Sequence, residues 1–292
     1  MPAKYFRTTS PTPAPAISIV TPAFEQGRFI ERTIASVVRQ RYPALEYVVQ
    51  DGGSTDETLD ILRRSSGYLA RCASSSDAGQ ADAINRGFEG TTGEIMGWLN
   101  ADDLSLPGAL SYVASYFDRH PGADVVYGQR ILIDEHDREI GRWILPGHSA
   151  TALMVADYVP QETMFWRRRV WDAAGAHVDS SLHYALDWDL LLRFHQAGAC
   201  IVRLPRFLGA FRVHARQKSA FTAAIAAESG LLRERAAGRR LDVDEVIRVL
   251  RPYLLRHVVL HTAWRLAAAA RFPSQDAAVD LRPLPPYGES EE

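Results

Sequence analysis

The chain has 292 residues and balances 33 Lys and Arg against 35 Asp and Glu, for a formal net charge of −2. That charge argues against a general nucleic-acid binder, whose basic footprint is missing. The length suits one large domain, or one domain with a helical extension. Cys72 and Cys200 lie far apart and without metal-ligand neighbours; this excludes a zinc site and a disulfide framework and suits a reducing cytosol. No stretch reaches the ~18 consecutive apolar residues of a membrane span, so the expected setting is the cytoplasm, free or peripheral at the inner membrane face.

Residues 1–15, rich in Pro, Thr and Ala, read as a flexible lead-in without the apolar core of a signal peptide. Ile17-Ser18-Ile19-Val20-Thr21 is a β-rich run ended by Pro22, and 29–39 follows with Ile30, Ile34, Val37 and Val38 at helical spacing. Tyr47-Val48-Val49-Gln50 is a second strand, broken by Asp51-Gly52-Gly53-Ser54-Thr55-Asp56, and Asp56 caps a helix over 57–64. A third strand is expected over 68–73, a helix over 81–88, and a buried strand over 95–99 that ends in Asn100-Ala101-Asp102-Asp103. Strands alternating with single helices at this spacing make a parallel sheet wound by right-handed crossovers.

After a helix over 108–120 the pattern changes. Stretches 125–128, 129–133 and 139–144 read as short strands around turn residues 134–137, an antiparallel addition to the sheet. A strand over 162–166, helices over 168–174 and 187–198, and strands over 201–207 and 208–212 follow. From Ser219 the chain reads as helical, with a turn near Gly238, a second start at Leu241-Asp242, and a kink or restart at Pro252. Residues 272–292 are Pro-rich and acidic and are expected to be disordered.

Four polar turns follow four of these strands and converge at one edge of a parallel sheet, where open α/β sheets place their ligands. Asp51, directly after a strand, can accept from a ribose hydroxyl or a base N–H, and Gly52 and Gly53 let backbone approach a ligand closely. Asp102 and Asp103 would repel each other unless a cation or donor groups compensate. A hard divalent ion shared with a phosphorylated ligand answers that need. Each turn alone is equally well an ordinary cap or tight turn; together they point to a ligand edge.

The turns Val-Thr-Pro-Ala-Phe-Glu (20–25), Gln-Asp-Gly-Gly-Ser-Thr-Asp (50–56), Asp-Ala-Gly-Gln-Ala-Asp-Ala-Ile-Asn-Arg-Gly (77–87) and Trp-Leu-Asn-Ala-Asp-Asp (98–103) resemble the ordered motifs of the family 2 glycosyltransferases. The resemblance covers roughly 16–219 and implies an α/β GT-A fold: a Rossmann-like mixed sheet, parallel in its N-terminal half, with antiparallel additions and a C-terminal helical segment. It implies a metal-dependent, inverting transfer from a nucleotide-diphosphate sugar, foremost a UDP-sugar, to a saccharide or lipid-linked acceptor, in bacterial polysaccharide or glycolipid synthesis. The domains would be the lead-in, a catalytic domain over 16–219 (nucleotide half 16–104, acceptor half 105–219), a helical extension over 220–271 and the tail.

The same resemblance implies site residues. Thr21, Pro22, Glu25, Asp51 and Ser54 would line the base and ribose pocket. Asp77, Gln80, Asp82, Asn85 and Asn100 would face nucleotide or donor sugar, with Arg86 near the phosphates. Asp102 would contact ribose or metal, and Asp103 would hold the Mn²⁺ or Mg²⁺ that bridges the diphosphate. Phe24-Glu25 stands where many members have Tyr-Asn, and Gln50 where many have a further acid; neither change removes a metal ligand. Tyr184-Ala185-Leu186-Asp187-Trp188-Asp189 resembles the motif that opens a helix and aims its first Asp at the acceptor, so Asp187 is the candidate base, Leu186 replaces a frequent Glu, and Asp189 reads as a first-turn acid.

Phe211 to Ser219 resembles the family's closing loop. There His214 can ligate Mn²⁺, and Arg212 or Lys218 can neutralise diphosphate. Gln161, Glu162 and Trp188 are weaker acceptor-side candidates. His177, His183 and His195 read as surface or packing residues, and Trp143, Trp166 and Trp171 as core more readily than as sugar platforms. Arg248, Arg251, Arg256, Arg265 and Arg271 interleave with Val258, Val259, Leu260, Trp264 and Leu266. That pattern fits a helix on the membrane surface or one packed on the catalytic domain with a basic outer face, with packing favoured. Two rival functions share the acidic turn. A sugar nucleotidyltransferase would need a basic Gly-rich first loop, which 21–25 is not, and a non-catalytic nucleotide-sugar-binding protein would not need Asp187.

Overall fold

The computed structural model describes residues 14–215, 217 and 222–271. Its centre is a nine-stranded mixed sheet. Strands β1 (Ile17–Ala23), β2 (Leu45–Asp51), β3 (Arg71–Ser74) and β4 (Ile95–Trp98) are mutually parallel in the order β3-β2-β1-β4. Side chains alternate along them with period two. Ile17, Ile19, Tyr47 and Val49 face a core made with α1 (Ile30–Val38), α2 (Thr58–Ser65) and α4 (Ala109–Arg119). Val20, Val48, Met96 and Trp98 face the opposite core, so both faces of the sheet are covered, as parallel pairing requires.

Helix α3 (Gln80–Phe88) packs on that second face with Ala81, Ile84 and Phe88. It lies so near β1 that a Cβ on Gly87 would stand 2.3 Å from a methyl of Val20, which explains a glycine inside a helix despite its cost of about 1 kcal/mol.

The second half departs from the expected hairpin set. The two short strands expected over 125–133 are one strand, β6 (Val125–Ile133), and those over 201–212 are one strand, β9 (Ile201–Arg212). They pair with each other in parallel, not antiparallel, with register shifts near Tyr127 and Gln129. Those shifts fall beside Gly128, where a Cβ would come within 2.7 Å of the Arg206 carbonyl oxygen; a break in the apolar pattern there marks an irregularity, not a chain reversal. The hairpin from β6 to β7 (Glu139–Trp143) is antiparallel as expected; the pairings of β8 (Phe165–Arg167) with β4 and β6, and of the unforeseen short strand β5 (Leu104–Ser105) with β9, are antiparallel too.

Short helices α5 (Ala150–Leu153) and α6 (Arg168–Ala173) and the longer α7 (Leu186–Gln196) complete the second layer, and Gln161–Thr163 forms a 3-10 turn where a strand was expected. Helices α8 (Thr222–Ala237) and α9 (Val243–Arg271) follow, joined across Gly238, whose φ of 68° is left-handed. Asp242 and Glu245 accept each other's backbone N–H in a capping box at the start of α9. Pro252 does not restart the helix, which runs through it. The lead-in through residue 13 and the tail from 272 lie outside the described residues.

Candidate active site

The carboxyl ends of β1 to β4 share one edge, and their turns are tied together. Asp51 is fully buried, and its carboxylate accepts from the N–H groups of Gly53 and Ser54 at 3.1 and 3.0 Å and from the hydroxyls of Ser54 and Ser74 at 2.5 Å each. Glu25 reaches across to accept from the Thr55 N–H at 2.8 Å, and Asp56 joins the Gly27 N–H to that of Thr58. Gln80 donates to the Asn100 side-chain oxygen at 2.7 Å, linking the third turn to the fourth. Asp77 lies against Gly52, where a Cβ would stand 2.8 Å from its carboxylate. The second turn is thus glycine-rich because the third leans on it.

Several expected roles do not survive this geometry. The Thr21 hydroxyl is buried on the Tyr47 hydroxyl at 2.9 Å, Pro22 is buried, and Ser54 is consumed by Asp51 and the Glu25 N–H. Asp51 accepts four hydrogen bonds within these turns, three on Oδ2 and one on Oδ1. Asn85 clamps Val178 with both amide atoms, at 2.9 and 2.7 Å. Asp82 caps the Ala78 N–H and pairs with Arg86 at 2.7 Å, which holds Arg86 on the loop 75–76. These residues build the edge; Glu25, Asp77, Gln80, Asn100 and Asp102 stay at its surface, beside the Asp82–Arg86 pair, which is itself part-exposed.

The clearest correction concerns Arg212. It is fully buried, donates from Nε to the Asp102 carbonyl at 2.8 Å, from Nη1 to the Asp134 carbonyl and Asp137 carboxylate, and stacks on Phe29 at 4.8 Å. It staples the acidic turn to the β6–β7 turn and cannot meet a diphosphate. Replacing it with Ala would leave Asp137 to Arg32 alone and take the side-chain donor from the Asp102 carbonyl; we expect a loss of about 2 kcal/mol, read as a shift in the urea midpoint. Lys218, its companion, lies outside the described residues.

The acidic turn divides its two carboxylates. Asp103 is 2% exposed and accepts the Arg212 N–H at 3.0 Å. Burial, with Asp102 and Glu162 close by, pushes its pKa well above the carboxylate range. Asp102 is open to solvent on one side and meets His214 Nε2 at 2.9 Å. The imidazole is held by the Phe29 ring at 4.9 Å, and its backbone N–H donates to Gln217. No cluster of three metal-ligating side chains occurs among the described residues; Asp102 with His214 is the pair the fold brings together.

Asp187 opens α7 half-buried, its Oδ1 accepting the Trp188 N–H at 3.0 Å. Burial raises its pKa to about 6, against the lowering effect of that hydrogen bond and of Arg130. Beneath it Arg130 and Glu162 form a bidentate ion pair at 2.7 and 2.5 Å, with the Arg130 guanidinium stacked on Phe211 at 4.4 Å and Trp143 at 5.3 Å. The Glu162 carboxylate is wholly buried there, Gln161 is buried with Nε2 on the Trp98 carbonyl and Oε1 without a hydrogen-bond partner among the described residues, and Trp188 is a core ring bonded to the Leu153 carbonyl. None of the three is placed to touch an acceptor. Asp189 is the first-turn acid expected of it, and it is buried on Arg193 and Arg235.

Two elements escaped the sequence reading. Asp157 lies exposed close to Asp187. Glu228 of α8 accepts the backbone N–H groups of His183, Tyr184 and Ala185 at 2.8, 2.8 and 3.1 Å. The helical extension therefore caps the segment that leads into Asp187, and no local spacing could have announced a cap from 40 residues downstream. Glu228→Ala should lower kcat several-fold while leaving nucleotide affinity unchanged, since its contacts lie on the Asp187 side; steady-state kinetics paired with calorimetry would show this.

The sequence comparisons agree with this architecture. The model of "Glycosyl transferase family 2" matches residues 18–173, more than half of the chain, and the chain belongs to that family. A PGL/p-HBAD biosynthesis glycosyltransferase of Mycobacterium tuberculosis is 31% identical over 196 residues, covering 65% of this chain and 73% of the relative. The O-antigen biosynthesis protein RfbC of Myxococcus xanthus is 30% identical over 83% of this chain but only 18% of its own length. Among solved structures, S. aureus TarS 1–349 in complex with UDP-GlcNAc superposes with a TM-score of 0.63 at 17% identity, covering 84% of this chain and 73% of that one. Mannosyltransferase PcManGT of Pyrobaculum calidifontis, in complex with GDP-Man and Mn²⁺, gives 0.60 at 22% identity, covering 92% and 79%. The fold is thus the mixed-sheet GT-A fold.

Proposed function

We propose that this glycosyltransferase moves a hexosyl group, with inversion, from a nucleoside-diphosphate sugar to an acceptor hydroxyl, with Asp187 as general base and a divalent ion held by Asp102 and His214. The observation that carries the reading is Asp187 itself: a carboxylate at a helix start, accessible from the cleft, with a pKa of about 6. Such a group is ionised at neutral pH yet basic enough to take a proton as the new bond forms. In the transfer, the acceptor oxygen bonds to the anomeric carbon while the carbon–oxygen bond to the β-phosphate breaks and its electron pair leaves with the diphosphate. The acceptor proton passes to Asp187 Oδ2, because Oδ1 is occupied by the Trp188 N–H.

The donor set suits a small hard cation. The Asp102 carboxylate and the His214 imidazole, which meet at 2.9 Å, would hold it, since hard divalent ions take carboxylate oxygen and imidazole nitrogen. The ion would supply charge neutralisation for the leaving group. Asp103, spent on the Arg212 N–H, steps back from the metal-holding role expected of it and shapes the turn. Asp77, Gln80 and Asn100 offer the polar surface for nucleotide or sugar.

A UDP-sugar is the first donor to try, since TarS is crystallised with UDP-GlcNAc, and a GDP-sugar the second, after PcManGT. A saccharide or lipid-linked acceptor, in polysaccharide or glycolipid assembly, fits the PGL/p-HBAD and O-antigen relatives. The test is nucleoside-diphosphate release from each sugar nucleotide with Mn²⁺, followed by NMR of the product anomer. A product with the donor's own anomeric configuration would end the inverting assignment.

A further inference from the structure

A surface helix needs one apolar stripe, turned to the core; α9 carries two. Its inner stripe packs on the catalytic domain. The Tyr253 ring is 6% exposed and stacks on Tyr158 at 4.4 Å, and Trp264 meets Phe207 and the Arg142 guanidinium. This satisfies the packing expected of the helix. Its other side leaves Ile247, Leu254, Leu255, Val258, Val259 and Leu266 between 50% and 68% exposed. These fall on two adjacent lines of the helix. Ile247, Leu254 and Val258 share theirs with Arg251 and Arg265; Leu255, Val259 and Leu266 share theirs with Arg248. From Val246 to the end of α9 there is no Asp or Glu.

We infer that this outer face of α9 is a docking surface for an anionic lipid bilayer. Long aliphatic chains flanked by arginines, on a helix lying in the interface plane, can bury the former among acyl chains while the latter meet lipid phosphates. Charge favours this occupant over a second copy of the chain. A two-fold contact through the same face would set Arg248, Arg251 and Arg265 against their own images, with no acid on the face from Val246 onward to pair them. No described helix is long and apolar enough to cross a membrane, so the contact is peripheral. The inner face of α9 rests through Tyr253 on Tyr158, the neighbour of Asp157 on the cleft wall. The surface therefore lies near the acceptor side, and a bilayer seated on it would bring a membrane-anchored acceptor to the cleft. The docking claim does not depend on the assignment of Asp187.

The test is flotation of the full chain with vesicles of phosphatidylcholine alone and of phosphatidylcholine with phosphatidylglycerol. Binding is expected only with the mixed vesicles and should weaken with salt. Arg248→Glu/Arg251→Glu should cut partitioning about tenfold or more, taking about 1 kcal/mol per basic residue near the surface. Leu254→Ser/Leu255→Ser/Val258→Ser should abolish it. Donor hydrolysis and circular dichroism should stay at wild-type levels in both variants. Equal partitioning into neutral vesicles, or indifference to the Arg reversals, would overturn the inference. So would a dimer in light scattering that the Leu and Val replacements dissociate, or vesicle binding that appears only after removal of 272–292.

Discussion

Asp187→Asn should lower kcat by about 10²- to 10⁴-fold, the range a positioned general base contributes, while nucleotide affinity stays within twofold of wild type. The amide is nearly isosteric and keeps Oδ1 available to the Trp188 N–H, so the start of α7 is preserved and only the proton acceptor is lost. The pH profile gives the same role a second signature. Burial places the Asp187 pKa at about 6, and the base works ionised, so kcat/KM should rise with pH through about 6 and level off above it. In Asp187→Asn that limb should vanish with the activity. Glu162→Gln should move it: removing the negative charge of Glu162 leaves Arg130 facing Asp187 with less compensation, so the limb should shift to lower pH.

The second large effect belongs to the pair at the other end of the cleft. Asp102→Asn or His214→Ala should weaken Mn²⁺-dependent donor binding and reduce turnover by about 10² or more, the loss usual when charge stabilisation of a leaving group is removed. Folding stability should hardly change in Asp102→Asn, because that carboxylate is part-exposed, whereas His214→Ala deletes a buried ring packed on Phe29 and should cost about 1–2 kcal/mol. Asp103→Asn is the informative contrast. Its carboxylate is buried, accepts the Arg212 N–H and is disfavoured as a charge by burial, Asp102 and Glu162; an amide keeps the acceptor and drops the charge, so thermal stability should hold or rise while the Mn²⁺ dependence stays at the wild-type level. Titrating Mn²⁺ against turnover in all three variants separates a lost ligand from a loosened turn. A wild-type metal dependence in His214→Ala would return the metal to the acidic turn alone.

Much of the scaffold was legible because it is local. The alternation of Ile17, Ile19 and Val20 and the helical spacing of Ile30, Ile34 and Val37 fix the parallel half directly, and the polar turns after each strand locate the ligand edge. The register between β6 and β9 was not legible, since parallel pairing between strands separated by two strands and three α-helices depends on tertiary contact. Among the polar residues the failures share one cause. Asn85 and Arg212 are residue types that bind phosphates and sugars, and they are also types that satisfy buried backbone groups, as both do here. Sequence distinguishes these uses only when both partners are close in the chain. Arg212 finds Asp102, Asp134 and Asp137, at least 75 residues away, and Glu228 finds the turn before Asp187 from α8. The side chains whose reading carries into the proposed mechanism, Asp102, His214 and Asp187, are those the fold leaves partly accessible or paired at the cleft surface.

The account turns on whether Asp102 and His214 form a donor site that works through a divalent ion. Calorimetric titration of the wild-type chain with UDP, and then GDP, in the presence and absence of Mn²⁺ measures this directly. A nucleoside diphosphate that binds at least about tenfold more tightly with Mn²⁺, a coupling of about 1.4 kcal/mol, is the predicted result. Equal affinity with Mn²⁺ and with excess chelator would contradict it.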